Sequence, residues 1–247
     1  MIPLLRPKLF ESFPEVCAAQ TTREGGVSQG AFRSLNLGLS SGDSIEAVMK
    51  NRQILCEAIG IELSQLALSS QVHGDEVLLV EKSGNYEGYD ALVTNRRGVF
   101  LAVSIADCVP ILVYDRAHRA IAAVHAGWRG TAKQILSKTM RKMSEAFGTK
   151  GEDCYAFIGA CIDAQSYEVD ADVADHFSDS FKRYDETRKK FLLDLKAANA
   201  RQLAQAGVPA SQIEISPHCA FRERERFFSF RASGGKTGRM FALIGLK

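Results

Sequence analysis

The chain is poor in proline and tryptophan, with six and one in 247 residues, and no stretch is rich enough in proline, glycine or serine to act as an interdomain linker. Internal repeats are lacking too, so a single domain over residues 1–247 is expected. Excess charge of either sign is missing: 31 Lys and Arg stand against 29 Asp and Glu, a net charge of +2. That balance gives no reason to expect nucleic acid, a polyanion or an acidic membrane as partner. Long apolar runs are absent; the longest uncharged one, residues 98–106, is far too short to cross a bilayer. Residues 1–7 have no basic residue ahead of their apolar ones and are broken by prolines, so no signal peptide is expected and the chain reads as cytoplasmic. The six cysteines (17, 56, 108, 154, 161 and 219) never form CxxC, which excludes a zinc ribbon or a disulfide framework. In a reducing cytosol they are free thiols, and most should be small buried apolar residues. What the chain does have is 46% hydrophobic and 24% charged residues, the composition of a folded globular protein.

Helix signals occur in four places. Asp43 and Glu46 have capping-box spacing ahead of a helix over 47–59, stopped by Gly60. Residues 131–147 carry Ile135, Leu136, Thr139, Met143 and Phe147 at helical spacing, closed by Gly148. Asp170 is placed to cap a helix presenting Val173, Ala174, Phe177 and Phe181, and Asp194 to cap one through Leu195, Ala198 and Leu203, ending at Gly207 before Pro209. Strand signals cover 76–81, 91–94, 99–105, 110–115, 120–125, 154–158, 212–215, 227–231 and 240–244. Strands outnumber helices and often follow one another, which predicts an α+β fold of mixed β-sheets flanked by helices.

The most informative stretch runs from Ala106-Asp107-Cys108-Val109-Pro110 to His125-Ala126-Gly127-Trp128-Arg129-Gly130. Two apolar strands here flank a polar loop, which predicts an antiparallel hairpin. If Asp115 pairs with His118, Cys108 sits opposite His125; if Tyr114 pairs with Ala120, the match is off by one. Facing side chains lie ~5 Å apart on a ladder, so either register brings thiol and imidazole together. Pro110 weakens pairing beside Cys108, and Gly127 and Gly130 open a turn into a helix, places where side chains meet solvent and anions. Taken alone, the two residues fit a hydrogen-bonded core pair as well as a chemical one. His73, in Gln71-Val72-His73-Gly74, completes a His/Cys/His set. Three protein ligands leave an open position, the arrangement of a catalytic zinc, and the donors suit copper equally. Asp107 and Gln71 are candidates for orienting a ligand imidazole. Without a metal, Cys108 activated by His125 gives a cysteine hydrolase or amidase; a third reading is a metal-binding protein with no turnover.

The remaining features read as framework. His118, His176 and His218 fall in a loop, on a helix and beside Pro217. Thr21 to Ser28 and Ser34 to Gly38 read as a glycine turn and short strand, or as an anion-binding lip using Arg23 and backbone N–H groups. Gly234-Gly235-Lys236-Thr237 imitates a phosphate loop but lacks the glycine at 230 and a following helix, so it is a turn. Arg222-Glu223-Arg224-Glu225-Arg226 alternates in sign and reads as solvated.

Five ordered motifs, Thr22-Arg23-Glu24-Gly25-Gly26-Val27-Ser28, Ser34-Leu35-Asn36-Leu37-Gly38, Gln71-Val72-His73-Gly74, Ala106-Asp107-Cys108-Val109-Pro110 and His125-Ala126-Gly127-Trp128-Arg129-Gly130, resemble the YfiH (laccase-domain or polyphenol oxidase) family. The ending Phe227-Phe228-Ser229-Phe230-Arg231 and Thr237-Gly238-Arg239-Met240 is similar to that family's C-terminal motif. The resemblance implies a compact fold related to cysteine deamidase toxins, with a metal, usually zinc, on His73, Cys108 and His125. It also implies phosphorolysis of adenosine, inosine, guanosine and methylthioadenosine to free base and ribose 1-phosphate, with adenosine deamination as a side activity. Partners are then a nucleoside and phosphate, and a monomer is expected. Arg23 and Arg129 are the expected phosphate contacts and Asn36 the contact to a sugar hydroxyl. An amide of a cell-wall precursor is the alternative substrate. Ala160 stands where the family often has Pro and Ser166 where it commonly has Cys; neither touches the three ligands. Five histidines are too few for both a trinuclear copper cluster and a His₂Cys centre, so a true laccase is rejected.

Overall fold

Three strands of seven residues, Val109–Asp115, Ala120–Ala126 and Met240–Leu246, have no exposed position. Strands covered on both faces lose polar alternation, and these three form the middle of the molecule. The computed structural model describes residues 2–247. Its first strands are β1 (Leu4–Leu5), β2 (Val16–Thr21), β3 (Leu66–Ser70), β4 (Val77–Leu79), β5 (Gly84–Glu87), β6 (Ala91–Thr94) and β7 (Phe100–Ile105). Then come β8 (Val109–Asp115), β9 (Ala120–Ala126), β10 (Cys154–Ile158), β11 (Glu168–Val169), β12 (Lys182–Asp185), β13 (Lys190–Leu193), β14 (Ile213–Ile215) and β15 (Met240–Leu246). The helices are α1 (Ile45–Ile59), α2 (Trp128–Ala132), α3 (Ile135–Phe147), α4 (Ala171–Ala174) and α5 (Leu195–Gln205).

Two six-stranded sheets, in the orders β1-β2-β15-β7-β3-β5 and β14-β10-β8-β9-β6-β4, and a small sheet β11-β13-β12 hold these strands. Both large sheets are mixed: β3 runs parallel to β5 and β7, β4 to β6, and β10 to β14, while the other pairs are antiparallel. Side chains alternate across each sheet and so divide between two cores. Leu101, Val103 and Ala242 of the first sheet meet Leu112, Tyr114 and Ile121 of the second in one shared core. The outer face of the first sheet packs Phe100, Phe241 and Leu243 against Leu55 and Ile59 of α1. The outer face of the second packs Val113 and Val124 against Leu136 and Met143 of α3 and Leu203 of α5. The result is four layers, helix, sheet, sheet and helices, in agreement with the expected mixed sheets and flanking helices. Among the described residues no helix is long and apolar enough to cross a membrane.

Several local expectations need correction. Ser44, not Asp43, caps α1, accepting the Ala47 N–H; the Asp43 carboxylate is taken by Ser28 and Asn36. The helix expected over 131–147 is broken between α2 and α3, where Gln134 has φ of +63°. The helix expected after Asp170 ends at Ala174, and Asp170 makes no capping bond. Residues 227–231 are irregular and lead into a turn rather than forming a strand. The β8–β9 ladder pairs Asp115 with Ala120 and Pro110 with His125, one step beyond both expected registers. The cause is Asp115, whose Oδ1 accepts the Ala117 and His118 N–H groups and whose Oδ2 meets His118 Nδ1 at 2.8 Å. That side chain closes the loop over residues 116–119, so Asp115 cannot pair with His118.

Candidate active site

Cys108 follows the end of β7, in the segment that passes from the first sheet into β8 of the second. It lies two residues before Pro110, the partner of His125, so thiol and imidazole share one face of the ladder as diagonal neighbours. His73 follows the end of β3 and holds φ at +57°. The ligand atoms of His73, Cys108 and His125 all lie within 4.8 Å of one another, with His73 exposed, Cys108 half-buried and His125 buried. The two imidazoles meet edge to face, centroids 4.9 Å apart.

Asp90, immediately before β6, organises this cluster. Its Oδ1 accepts from His125 Nδ1 at 2.7 Å and from the His73 N–H at 3.1 Å; its Oδ2 accepts the Val72 and Gly74 N–H groups. One fully buried carboxylate thus fixes the turn that carries one histidine and the ring of the other. With Nδ1 of His125 bound to Asp90, Nε2 is the ring nitrogen left for the cluster. Lys138 of α3 pairs with Asp75 and ties the same turn to the second sheet's outer layer.

The electrostatics of the cluster favour a charge-separated pair. Burial by itself pushes the Cys108 thiol up, but the His125 imidazolium and hydrogen bonds from both histidines outweigh it and bring the thiol down to about 6. Burial lowers His125 in turn, and the Cys108 thiolate and Asp90 raise it to about 9. Asp90 also experiences burial, overcome by the His125 ring and the backbone N–H groups, and stays below the usual carboxylate range. A thiolate and two imidazoles oriented from behind are the donor chemistry of a metal site. Space for an ion is kept by Gly127, where a Cβ would lie 3.1 Å from Cys108 Sγ, 3.3 Å from His73 Cδ2 and 4.0 Å from His125 Cε1. Among the described residues this is the one cluster with such donors.

The cluster opens into a cavity of about 620 Å³ lined by Arg52, Arg129, Arg231 and Arg239 against a single carboxylate, Asp107. Phe230, 50% exposed, and Tyr167 add aromatic surface. Burial, with help from Cys108 and Asp107, pushes the Tyr167 phenol up to about 12, so it is a neutral donor at ordinary pH.

The family described as multi-copper polyphenol oxidoreductase laccase matches residues 17–247. The chain belongs to that family. Purine nucleoside phosphorylase of Bacteroides thetaiotaomicron is 38% identical over 95% of this chain and 93% of its own length. Purine nucleoside phosphorylase YlmD of Bacillus subtilis is 36% identical over 94% of this chain and 89% of its own. Among solved structures, the hypothetical protein YfiH of Bacillus licheniformis superposes with a TM-score of 0.92 at 34% identity, covering 96% of this chain and 95% of that one. YlmD from Geobacillus stearothermophilus gives 0.91 at 36% identity, covering 96% and 94%.

In this YfiH-type chain the positions expected from sequence distribute unevenly. His73, Cys108, His125 and Arg129 face the cavity, with the Arg129 guanidinium 4.3 Å from the Trp128 ring centre. Arg23 lies elsewhere, donating to the carbonyls of Arg33 and Arg224 beside Phe228. Asn36 is fully buried; its amide donates to Ser41 and Asp43, and its Oδ1 accepts from Gly38 and Arg239 N–H groups. It reaches the cavity only by placing Arg239. Gln71 holds the Ser104 backbone in both directions, and Asp107 accepts the Arg231 N–H, so neither orients a histidine. Asp90 performs that role. The other histidines lie apart from the cluster: His118 on Asp115, His176 beside Trp128, His218 on Glu223.

Proposed function

We propose that this protein is a purine nucleoside phosphorylase, converting adenosine, inosine, guanosine or methylthioadenosine and phosphate to the free base and ribose 1-phosphate. The observation that carries this reading is the His73–Cys108–His125 cluster opening directly into a cavity with four arginines and one carboxylate. The names of its relatives favour the same chemistry. His73, Cys108 and His125 would hold zinc, or copper, and a bound ion would supply Lewis-acid polarisation at the reacting centre. Phosphorolysis forms a bond from a phosphate oxygen to the anomeric carbon as that carbon's bond to the purine breaks, the electron pair leaving on the base. Arg129, Arg231 and Arg239 hold the phosphate dianion by charge-assisted hydrogen bonds in a partly desolvated cavity. Phe230 offers a face for the base, and the neutral Tyr167 hydroxyl donates to an acceptor on base or sugar. Asp90 acts as a positioning residue, keeping the ring of His125 and the turn of His73 in place. Water in place of phosphate, adding at C6 of adenosine as the C6–N bond breaks and the amine leaves as ammonia, gives inosine, the lesser deaminase activity. We read the chain as one domain acting as a monomer.

The test incubates metal-analysed protein with adenosine, with and without phosphate, and separates the products by chromatography. Phosphate-dependent adenine is the expected product; inosine alone would reassign the site to deamination. No turnover by metal-loaded protein would overturn the reading.

One observation favours a second reading. Asp90, His125 and Cys108 stand in the order carboxylate, imidazole, thiolate, the arrangement of a cysteine hydrolase acting on an amide, such as one in a cell-wall precursor. That reading expects amide hydrolysis that survives chelation and is abolished by alkylation of Cys108. The phosphorylase reading expects loss of activity on chelation and its return with metal.

A further inference from the structure

Arg52 is the residue of α1 that lines the cavity, and the chemistry above gives it no role. It is 8% exposed, yet among the described residues no carboxylate lies within ion-pair distance of it. Its one hydrogen bond to protein runs from Nε to the Leu37 carbonyl at 3.0 Å, and its guanidinium carbon lies 5.2 Å from the Phe241 ring centre. The Nη1 and Nη2 groups have no protein partner. Neither is among the sealed orphan polar atoms of the described residues, which are Asp107 Oδ1, Thr149 Oγ1 and Asn199 Oδ1, so both retain access to the cavity that Arg52 lines. The same cavity wall also carries neutral hydrogen-bonding side chains, among them Ser40, Ser70 and Asn85.

A desolvated guanidinium without a counter-ion is costly in a fold, and mutation readily exchanges it for an apolar residue where nothing uses it. Burial accordingly holds Arg52 below the usual guanidinium range. Its planar fork, with Nε anchored on Leu37, leaves the two Nη groups preorganised to grip a tetrahedral oxyanion. Leu68 and Phe241, which also line the cavity, belong to the core under α1, whereas the three metal-type ligands sit at strand ends. Phe241, beside the Arg52 guanidinium, puts this arginine where the cavity meets that core.

We propose that Arg52 anchors a phosphate subsite at the α1 end of the cavity, receiving either inorganic phosphate or the 5′-phosphate of a purine nucleoside monophosphate. The second source rests on the nucleoside reading above; the first does not. Both present the same dianion to the same guanidinium, and binding experiments separate them.

The experiment is isothermal titration of the purified, metal-loaded protein and its Arg52→Met and Arg52→Lys variants. The titrants are inorganic phosphate, adenosine and adenosine 5′-monophosphate, and thermal melts check folding. Methionine keeps the apolar stem and removes the charge. The subsite predicts that Arg52→Met weakens a phosphate-bearing ligand by ten-fold or more, that Arg52→Lys recovers part of the loss, and that adenosine is unaffected. Loss with inorganic phosphate marks the free anion as an occupant beside the phosphate held by Arg129, Arg231 and Arg239; loss confined to the monophosphate marks the nucleotide. If Arg52→Met does not fold, Arg52→Gln carries the comparison. Equal affinity of wild type and charge-deleted protein for both phosphate ligands, or no binding of either to wild type, overturns the subsite. Arg52-dependent phosphate binding without nucleoside turnover overturns the phosphorylase reading and leaves the subsite standing.

Discussion

Gly127 is the residue on which the metal-site reading depends most simply. Its φ of −72° and ψ of 175° suit any L-residue, so a substitution there acts through space alone. In Gly127→Ala the methyl group meets Cys108 Sγ at 3.1 Å and His73 Cδ2 at 3.3 Å. We expect the variant to fold, melting within a few degrees of chelated wild type, while its bound metal falls well below one per chain by elemental analysis. Full metal loading would show that the cluster does not need this space. Cys108 makes a second prediction, for the chelated protein. Its thiolate is favoured above about pH 6 and the His125 imidazolium below about pH 9. An unfolded chain at pH between 6.5 and 9.0 keeps the same proton on the cysteine instead, so this pair adds no pH slope to stability in that window. The thiolate's contribution is lost as pH falls through 6, and the imidazolium's as pH rises through 9. Alkylation followed by mass spectrometry should give a midpoint near pH 6 for Cys108, and Asp90→Asn should move it upward by weakening the imidazolium. A midpoint near the ordinary thiol value would deny the pair.

These residues differ in how far sequence alone reveals them. His73 and His125 stand in short motifs beside turn glycines and Cys108 beside Pro110, where strand ends are recognisable. Asp90 stands 17 residues from His73 and 35 from His125, and no local pattern links a carboxylate before one strand to an imidazole after a second and another near the end of a third. Arg52 reads as an ordinary helix charge, because burial without an ion-pair partner is a property of the packed molecule. Arg23 and Asn36 carry motif positions that the fold spends on its own backbone.

At the scale of elements, the β8–β9 hairpin and the α2–α3 break set the geometry. The strands were legible where both faces are buried, as in β8, β9 and β15. The third sheet was not: Lys-Arg-Tyr-Asp of β12 has no apolar face to recognise. The break is built around Gln134 at φ +63°, a conformation that costs a non-glycine residue roughly 1 kcal/mol. Periodicity across 131–147 runs through it unaltered, since Ile135 and Leu136 stay in the core on the far side. Gln134→Gly should leave stability unchanged or raise it by up to about 1 kcal/mol in denaturant melts, whereas a glycine within α3 at exposed Arg141 should cost about 1 kcal/mol. Similar losses at both positions would place residue 134 in a regular helix.

At the scale of the molecule, the site belongs to neither sheet alone. His73 comes from the end of a strand in the first sheet, His125 from the second, and Cys108 from the segment between them. A metal held there would couple the two halves of the sandwich, and its binding would add to folding free energy: about 2.7 kcal/mol at a free concentration one hundred times Kd. Chelation should lower the melting temperature of wild type but hardly change that of Cys108→Ala.

The most direct measurement is phosphorus-31 NMR of inosine and phosphate with wild type and Cys108→Ala at matched protein concentration. A ribose 1-phosphate resonance that grows with wild type, in step with loss of inorganic phosphate, and that Cys108→Ala fails to produce is the predicted result. A spectrum that stays unchanged with metal-loaded wild type, or an equal resonance from both proteins, would contradict the account.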